Sequence, residues 1–374
     1  MNRFESLAAP GIRDLAPYVP GKPPETLERE FGVKDSIKLA SNENPLGPGT
    51  LARAALANSL AGVGLYPDGS GHVLRSKLAS MHGLELGQVT LGNGSNDILV
   101  LLAGAFLTPG LEAVHSRYAF AVYPSAIQAA GAAARVASAN PPEHSMPLGH
   151  DPAALKAAVG ARTRVVFLAN PNNPTGTWLT EREIDDLLRT IPTDVIVVLD
   201  EAYHEYSWAL GVPDGTRWLA GHPNLVITRT FSKAYGLAGL RVGYALSHPE
   251  VADLLNRVRQ PFNVSVPALA AAAAALDDRK HLEATLALNA AGLAQLRAGL
   301  SALDLRVPPS AGNFVFADFG RPVSAVNDAL LRQGVIVRPV ANYGLPNHLR
   351  ITTGNTAQNE RLLAAMSSAL AGGS

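Results

Sequence analysis

Three apolar runs rich in β-branched residues end in groups that could do chemistry. DVIVVLD (194–200) ends in Asp200 and continues Glu201-Ala202-Tyr203. LVITRTF (225–231) carries Thr230, runs into Ser232 and Lys233, and reaches Arg241 after a Gly-rich stretch. RVVFLAN (164–170) opens onto NPNNPTG (170–176). In an open α/β sheet, ligands bind beyond the carboxyl ends of the strands, so these are the positions to read. An Asp at the rim of an apolar sheet is either a helix N-cap or a carboxylate matched to a cationic ligand, because burying it alone is costly. Lys233 is either a solvated turn residue or a desolvated amine beside Arg241. In that second setting its pKa falls and the free amine can attack a carbonyl. Ser232, Lys233 and Arg241 together suit an anion.

A fourth polar segment, LGNGSND (91–97), precedes the helical pattern ILVLLAGAF. A Gly-rich loop opening a helix turns backbone N–H groups and the positive dipole end toward a phosphate. It is neither a GxxxxGK[ST] loop nor a full GxGxxG, and NPNNPTG alone is compatible with an ordinary turn. His204-Glu205 begins like HExxH, but Trp208 occupies the second His position and the zinc reading fails. The histidines show no metal spacing, so no metal is expected.

The elements that must position these groups alternate strand and helix. The three runs are apolar on both faces, as in a covered parallel sheet. Thr180 with Glu183 makes a capping box, Ser247 with Glu250 predicts another, and Asp151-Pro152 opens a helix that Gly160 is expected to close. The rhythm implies an α/β protein with a mainly parallel, doubly wound sheet. The first forty residues hold Pro10, Pro17, Pro20, Pro23 and Pro24 and read as an extended arm. After about residue 262, an Ala/Leu-rich helical region precedes NFVFADF (313–319), GVIVRPV (334–340), HLRITTG (348–354) and a last helix, which reads as a smaller α+β domain. The expected division is an arm at 1–35, a large domain at 36–262 and a small domain at 263–374.

The 374 residues balance 31 Lys+Arg against 31 Asp+Glu and include no cysteine. Disulfide scaffolds and thiolate metal sites are thereby excluded. The balance argues against a nucleic-acid or acidic-membrane partner. Charges interrupt the N-terminal segment where a signal peptide needs an apolar stretch. The Ala-rich run from Pro267 to Leu276 is far shorter than the roughly 20 apolar residues that cross a bilayer. A cytoplasmic protein is expected.

The order GNGSND, Tyr118, NPNNPTG, DEAY, SKAYGLAGLR and HLRITTG resembles the fold-type I pyridoxal-phosphate aminotransferases, most closely the histidinol-phosphate aminotransferase family. LASNENPLGP (39–48), LYPD (65–68), PY-x-PG from Pro17 to Gly21 and GVIVRP (334–339) extend the resemblance over about residues 11–365. It implies pyridoxal 5'-phosphate as cofactor, with Lys233 forming its Schiff base and Asp200 paired with the pyridine nitrogen. Tyr203 and Asn173 would bond the ring 3-oxygen, and Tyr118 would stack on the ring. Ser95, Asn96, Thr230, Ser232 and Arg241 would hold the phosphate. Tyr66 would reach the phosphate of a neighbouring subunit, implying a homodimer with shared sites. Arg350, Arg338 and Tyr18 would bind the anionic group of the substrate. The implied reaction converts L-histidinol phosphate and 2-oxoglutarate to imidazole-acetol phosphate and L-glutamate. An aromatic amino-acid aminotransferase, a phosphoamino-acid decarboxylase and a cofactor-binding regulator are the alternatives. The phosphate loop departs from the pattern: Ser95-Asn96-Asp97 stands where many relatives have an acidic residue followed by Glu.

Overall fold

The computed structural model describes residues 3–17 and 21–371. Its strands, in chain order, are β1 (Ile37–Lys38), β2 (Val89–Gly92), β3 (Glu112–Ser116), β4 (Ala133–Ala137), β5 (Thr163–Ala169), β6 (Ile196–Asp200), β7 (Leu225–Thr230), β8 (Gly243–Ser247), β9 (Phe314–Asp318), β10 (Val335–Ile336), β11 (Arg338–Pro339) and β12 (His348–Thr352). Seven of them form one sheet in the order β2-β8-β7-β6-β5-β3-β4. Only β8 runs against the rest, so the sheet is mainly parallel, as the βαβ rhythm predicts.

Alternation along the strands explains why both faces are covered. On β5, Val166 and Leu168 join one hydrophobic core, while Val165, Phe167 and Ala169 join the other. Each such fully buried aliphatic or aromatic side chain contributes about 1.5–3 kcal/mol relative to exposure. A second sheet, β11-β12-β9, is antiparallel and packs its own core around Val315, Ala317, Leu349 and Ile351 with helices Ser324–Arg332 and Thr356–Ala371. Strand β1 pairs with β10, and Leu39 enters this smaller core. Helix Val266–Ala275 buries Ala268, Ala271 and Ala272 in the large core.

Two local signals hold as read. Thr180 and Glu183 make a reciprocal capping box, and Asp151 accepts from the amides of Ala153 and Ala154. Four details differ. His248, not Ser247, caps helix Pro249–Val258, because Ser247 is still the last residue of β8. Helix Pro152–Ala158 ends at Val159 in extended geometry, so Gly160 lies beyond its cap. GVIVRPV breaks into β10 and β11, which belong to different sheets. The arm is not extended throughout: Pro10–Arg13 and Pro24–Phe31 are helical, each with Pro at its start, where no backbone donor is needed. Leu27 then anchors the second helix against Ala40, Leu331 and Ile336.

Candidate active site

The carboxyl ends of β5, β6 and β7 open into a cavity of about 250 Å³. Ser95, Asn96, Asn173, Asp200, Tyr203, Thr230, Ser232, Lys233 and Arg241 all line it, so nine residues chosen from sequence meet at one place.

Asp200 ends β6 and is buried. Tyr123 Oη donates to its Oδ2 at 2.8 Å, and Thr228 Oγ1 donates to its Oδ1 at 2.9 Å. Burial pushes the carboxyl above its ordinary range, and these two hydrogen bonds oppose that shift. Both hydroxyls are neutral donors, so a cation in the cavity would complete the carboxylate's environment. Lys233 follows β7, and its Nζ donates to the Ser41 carbonyl at 3.0 Å. Burial, then Arg350 and Arg241, lower its pKa to about 7, with Glu43 opposing. Near neutrality a substantial share of this amine is unprotonated and nucleophilic. The Tyr203 hydroxyl accepts from Asn42 Nδ2 at 2.8 Å. Burial pushes it up to about 12, against the pull of Arg350 and the Asn42 bond.

The opposite wall is built for an anion. Helix Ser95–Phe106 starts with Ser95 and Asn96 at the cavity. Asp97 fixes the loop before it by accepting from the Asn93 amide at 2.8 Å and from Asn263 Nδ2 at 3.0 Å. Gly94 has φ +81°, and a Cβ there would lie 2.3 Å from Arg241 Nη2; one on Gly243 would lie 2.4 Å from the Ser95 amide nitrogen. Backbone donors and the guanidinium therefore crowd a cradle that only glycine permits. Arg241 Nη1 donates to Ser232 Oγ at 3.1 Å.

Arg350 sits on β12, buried, with Nη1 donating to Asn173 Oδ1 at 2.7 Å and Nη2 to the Ala40 carbonyl at 2.6 Å. It ties the smaller sheet to the loop after β5. Arg338 faces Arg350 in register across β11 and β12 and lines an adjoining hollow with Pro17, Arg117 and Tyr343. Tyr18 lies outside the described residues. Tyr66 is 82 % exposed and stacks on Phe262 at 4.7 Å, away from this chain's own cavity.

Tyr118 is not among the residues that line the cavity. It packs beside Phe316, Val340 and Leu345, and Phe120 rather than Tyr118 lines the cavity. A single aromatic in a loop gives no sequence signal for which of two neighbours turns inward. Sequence reasoning also missed Asn42, Tyr123 and Thr228, the partners that hold Tyr203 and Asp200. Of these, Asn42 and Thr228 lay in segments singled out in advance, LASNENPLGP and LVITRTF, and Tyr123 did not. Glu201, His204 and Asp214 come close enough together to suggest a cation site. The Arg229 guanidinium already bridges Glu201 Oε2 at 2.7 Å and Asp214 Oδ1 at 2.6 Å, and Trp208 Nε1 donates to His204 Nε2 at 2.9 Å. The cluster is an internal ion-pair network.

A poised amine, a carboxylate lacking a cation and a glycine-shaped anion cradle, all on one cavity, fit a phosphorylated, protonated heteroaromatic carbonyl compound. Comparison with known proteins agrees. Residues 34–366 match the family model for aminotransferase class I and II, and the chain belongs to that family. It is 57% identical over 370 residues to histidinol-phosphate aminotransferase 2 of Pseudomonas fluorescens strain Pf-5, covering 98% of each chain. It is 54% identical to the protein of that name from Pseudomonas aeruginosa, covering 99% of this chain and 100% of the relative. A crystal structure of histidinol-phosphate aminotransferase from Sinorhizobium meliloti in complex with pyridoxal-5'-phosphate superposes with a TM-score of 0.90 at 30% identity, covering 99% of both chains.

Proposed function

We propose that the protein transfers the amino group of L-histidinol phosphate to 2-oxoglutarate, giving imidazole-acetol phosphate and L-glutamate, with pyridoxal 5'-phosphate as cofactor. The observation that carries the reading is the placement of Lys233 and Asp200 on the same cavity as the Ser95 helix start and Arg241. The names and near full-length coverage of the relatives support the substrate. When bound, the cofactor supplies a carbonyl that takes up the amino group and a protonated ring that withdraws electrons from the substrate carbon.

The chain's residues do the rest. Lys233 would hold the cofactor through its amine and, when that amine is free, would move the proton at the substrate carbon as base and then acid. Its low pKa serves that role, since a base that stayed protonated could not accept a proton. Asp200, fixed by Tyr123 and Thr228, keeps the ring nitrogen protonated. Asn173 has its Oδ1 engaged by Arg350, which leaves its amide N–H groups for the ring oxygen, with Tyr203 beside it. Phe120 takes the ring-stacking role in place of Tyr118. Ser95, Asn96, Thr230, Ser232 and Arg241 bind the cofactor phosphate, while Arg350, Arg338 and Tyr18 bind the substrate phosphate. A homodimer, in which the partner subunit's Tyr66 reaches the cofactor phosphate, and a cytoplasmic location belong to the same proposal. No described helix is long and apolar enough to cross a membrane.

A half-reaction tests this. Holoenzyme mixed with L-histidinol phosphate, without any oxo acid, should release one imidazole-acetol phosphate per site and stop until 2-oxoglutarate is added. Product beyond one equivalent without 2-oxoglutarate, or none at all, contradicts it.

A further inference from the structure

A second cavity, of about 830 Å³, lies beyond the segment that follows β6 and shares no lining residue with the first. Its polar end is formed by Glu205, Tyr235, Tyr244, His82 and Arg229. Glu205 and Tyr235 are 4 % and 7 % exposed. The Glu205 carboxyl is bonded only by the amide of its own residue, and the Tyr235 hydroxyl has no hydrogen-bond partner among the described residues. Burying polar groups with so few partners is costly, so two such groups lining one cavity point to something that fills it.

The surroundings decide the ligand's charge. Arg229 spends Nε and Nη2 on Glu201 at 2.9 and 2.7 Å, and Nη2 also reaches Asp214. Two carboxylates against one guanidinium leave an excess of negative charge before Glu205 is counted. Burial, with Arg229 next, pulls the His82 pKa down to about 4, so that ring adds no charge near neutrality. An anion would meet no available cation at the polar end. A metal ion would find the closest carboxylate–imidazole group already filled by Arg229 and the Trp208 indole N–H. The other walls combine Met81, Trp208, Leu276, Leu282 and Leu286 with Ser76, Ser80 and a formally balanced set of charges, Lys77, Asp277, Arg279 and Glu283, of which Lys77 is paired with Asp277.

We propose that this cavity binds a small organic cation, an ammonium or imidazolium borne on a flat apolar body, with Glu205 as counter-ion, Tyr235 as hydrogen-bond partner and Trp208 as an aromatic wall. Burial raises the Glu205 pKa, and an incoming cation relieves that cost. The site is independent of the substrate assigned above. Its inner end is continuous in sequence with Asp200 and Tyr203, so its occupancy borders the segment that carries them.

The probe is N,N-dimethylphenethylamine, a tertiary amine that cannot form a Schiff base and so does not report the cofactor site. Isothermal titration of holoenzyme should give one binding event per chain. Glu205→Gln, nearly isosteric, and the neutral analogue 2-phenylethanol should each weaken binding at least about tenfold, the scale of a lost buried charge-assisted contact. Binding should also change the indole emission in the parent protein, and Trp208→Phe should abolish that change. An undiminished cofactor absorbance in E205Q reports that the variant is folded. No binding of the amine, equal affinity in E205Q, or equal affinity for the alcohol each overturns the proposal and leaves a water-filled cavity.

Discussion

Asp200 and Lys233 were legible in the sequence because each follows an apolar strand run, and the carboxyl ends of such strands face the ligand. What holds them was not. Tyr123 lies 77 positions from Asp200, Thr228 lies 28 away and Asn42 lies 161 from Tyr203, so only the folded chain brings them together. Tyr123 is fully buried and stacks on Phe167 at 5.0 Å, which gives its phenol one direction. Tyr123→Phe removes one of two donors to a buried carboxylate. Equilibrium dialysis should find pyridoxal phosphate bound roughly tenfold more weakly, in line with a hydrogen bond to a charged group. Unchanged affinity would mean that Thr228 alone positions Asp200. Lys233 yields a pH prediction. Below about 7 the amine is protonated and inert; above it the amine is free. The rate at which apoenzyme captures pyridoxal phosphate into a borohydride-fixable adduct should therefore rise through about pH 7 and then level off. A midpoint near the ordinary lysine value would show an amine that burial and Arg350 do not perturb. Lys233→Ala should form no adduct at any pH.

The start of helix Ser95–Phe106 acts as a unit with the Gly94 turn and the Arg241 loop. Its presence was readable from a Gly-rich loop before an apolar 3.6-residue pattern. Its packing was not, because close backbone approach depends on β8, a short antiparallel strand that brings Gly243 against Ser95. The departure at Ser95-Asn96-Asp97 also becomes intelligible: Asp97 bonds the Asn93 amide and Asn263, and so fixes the loop from within. Gly94→Ala places a methyl against Arg241 in a left-handed backbone conformation. Cofactor affinity should fall by at least about tenfold, while circular dichroism still reports a folded chain. Retained affinity would show that the cradle tolerates side-chain bulk. The capping boxes teach a related lesson. Thr180 behaves as its pattern indicates, whereas Ser247 is drawn into β8 by strand pairing and His248 caps in its place. A tertiary ladder overrode a local signal of similar strength.

At the scale of the molecule, the apolar residues of the seven-stranded sheet and of β11-β12-β9 pack into separate cores, and we propose that the change of texture near residue 262 marks a division into a cofactor unit and a smaller unit. Helix Val266–Ala275, on the far side of that point, buries its alanines in the large core, because the large sheet offers the nearer apolar face. Arg350 crosses between the units to Asn173 and the Ala40 carbonyl, so the substrate anion would bind where the two meet. The proposed dimer adds a third contributor. Tyr66 stands exposed on its own chain, beside Phe262 and with Leu65 at 78 % exposure. Tyr66→Ala and Lys233→Ala should each be impaired as separate proteins. Mixed and reassociated, they should recover about a quarter of wild-type activity, since hybrid dimers hold one intact shared site. No recovery would mean that each chain completes its own site. The central claim concerns what that site prefers. The most direct measurement is kcat/KM for L-histidinol phosphate and for L-phenylalanine side by side, each with 2-oxoglutarate as acceptor. The phosphorylated substrate should be favoured by about a hundredfold or more, because the arginine side of the site is built for an anion of its geometry. Equal values, or a preference for phenylalanine, would contradict the account.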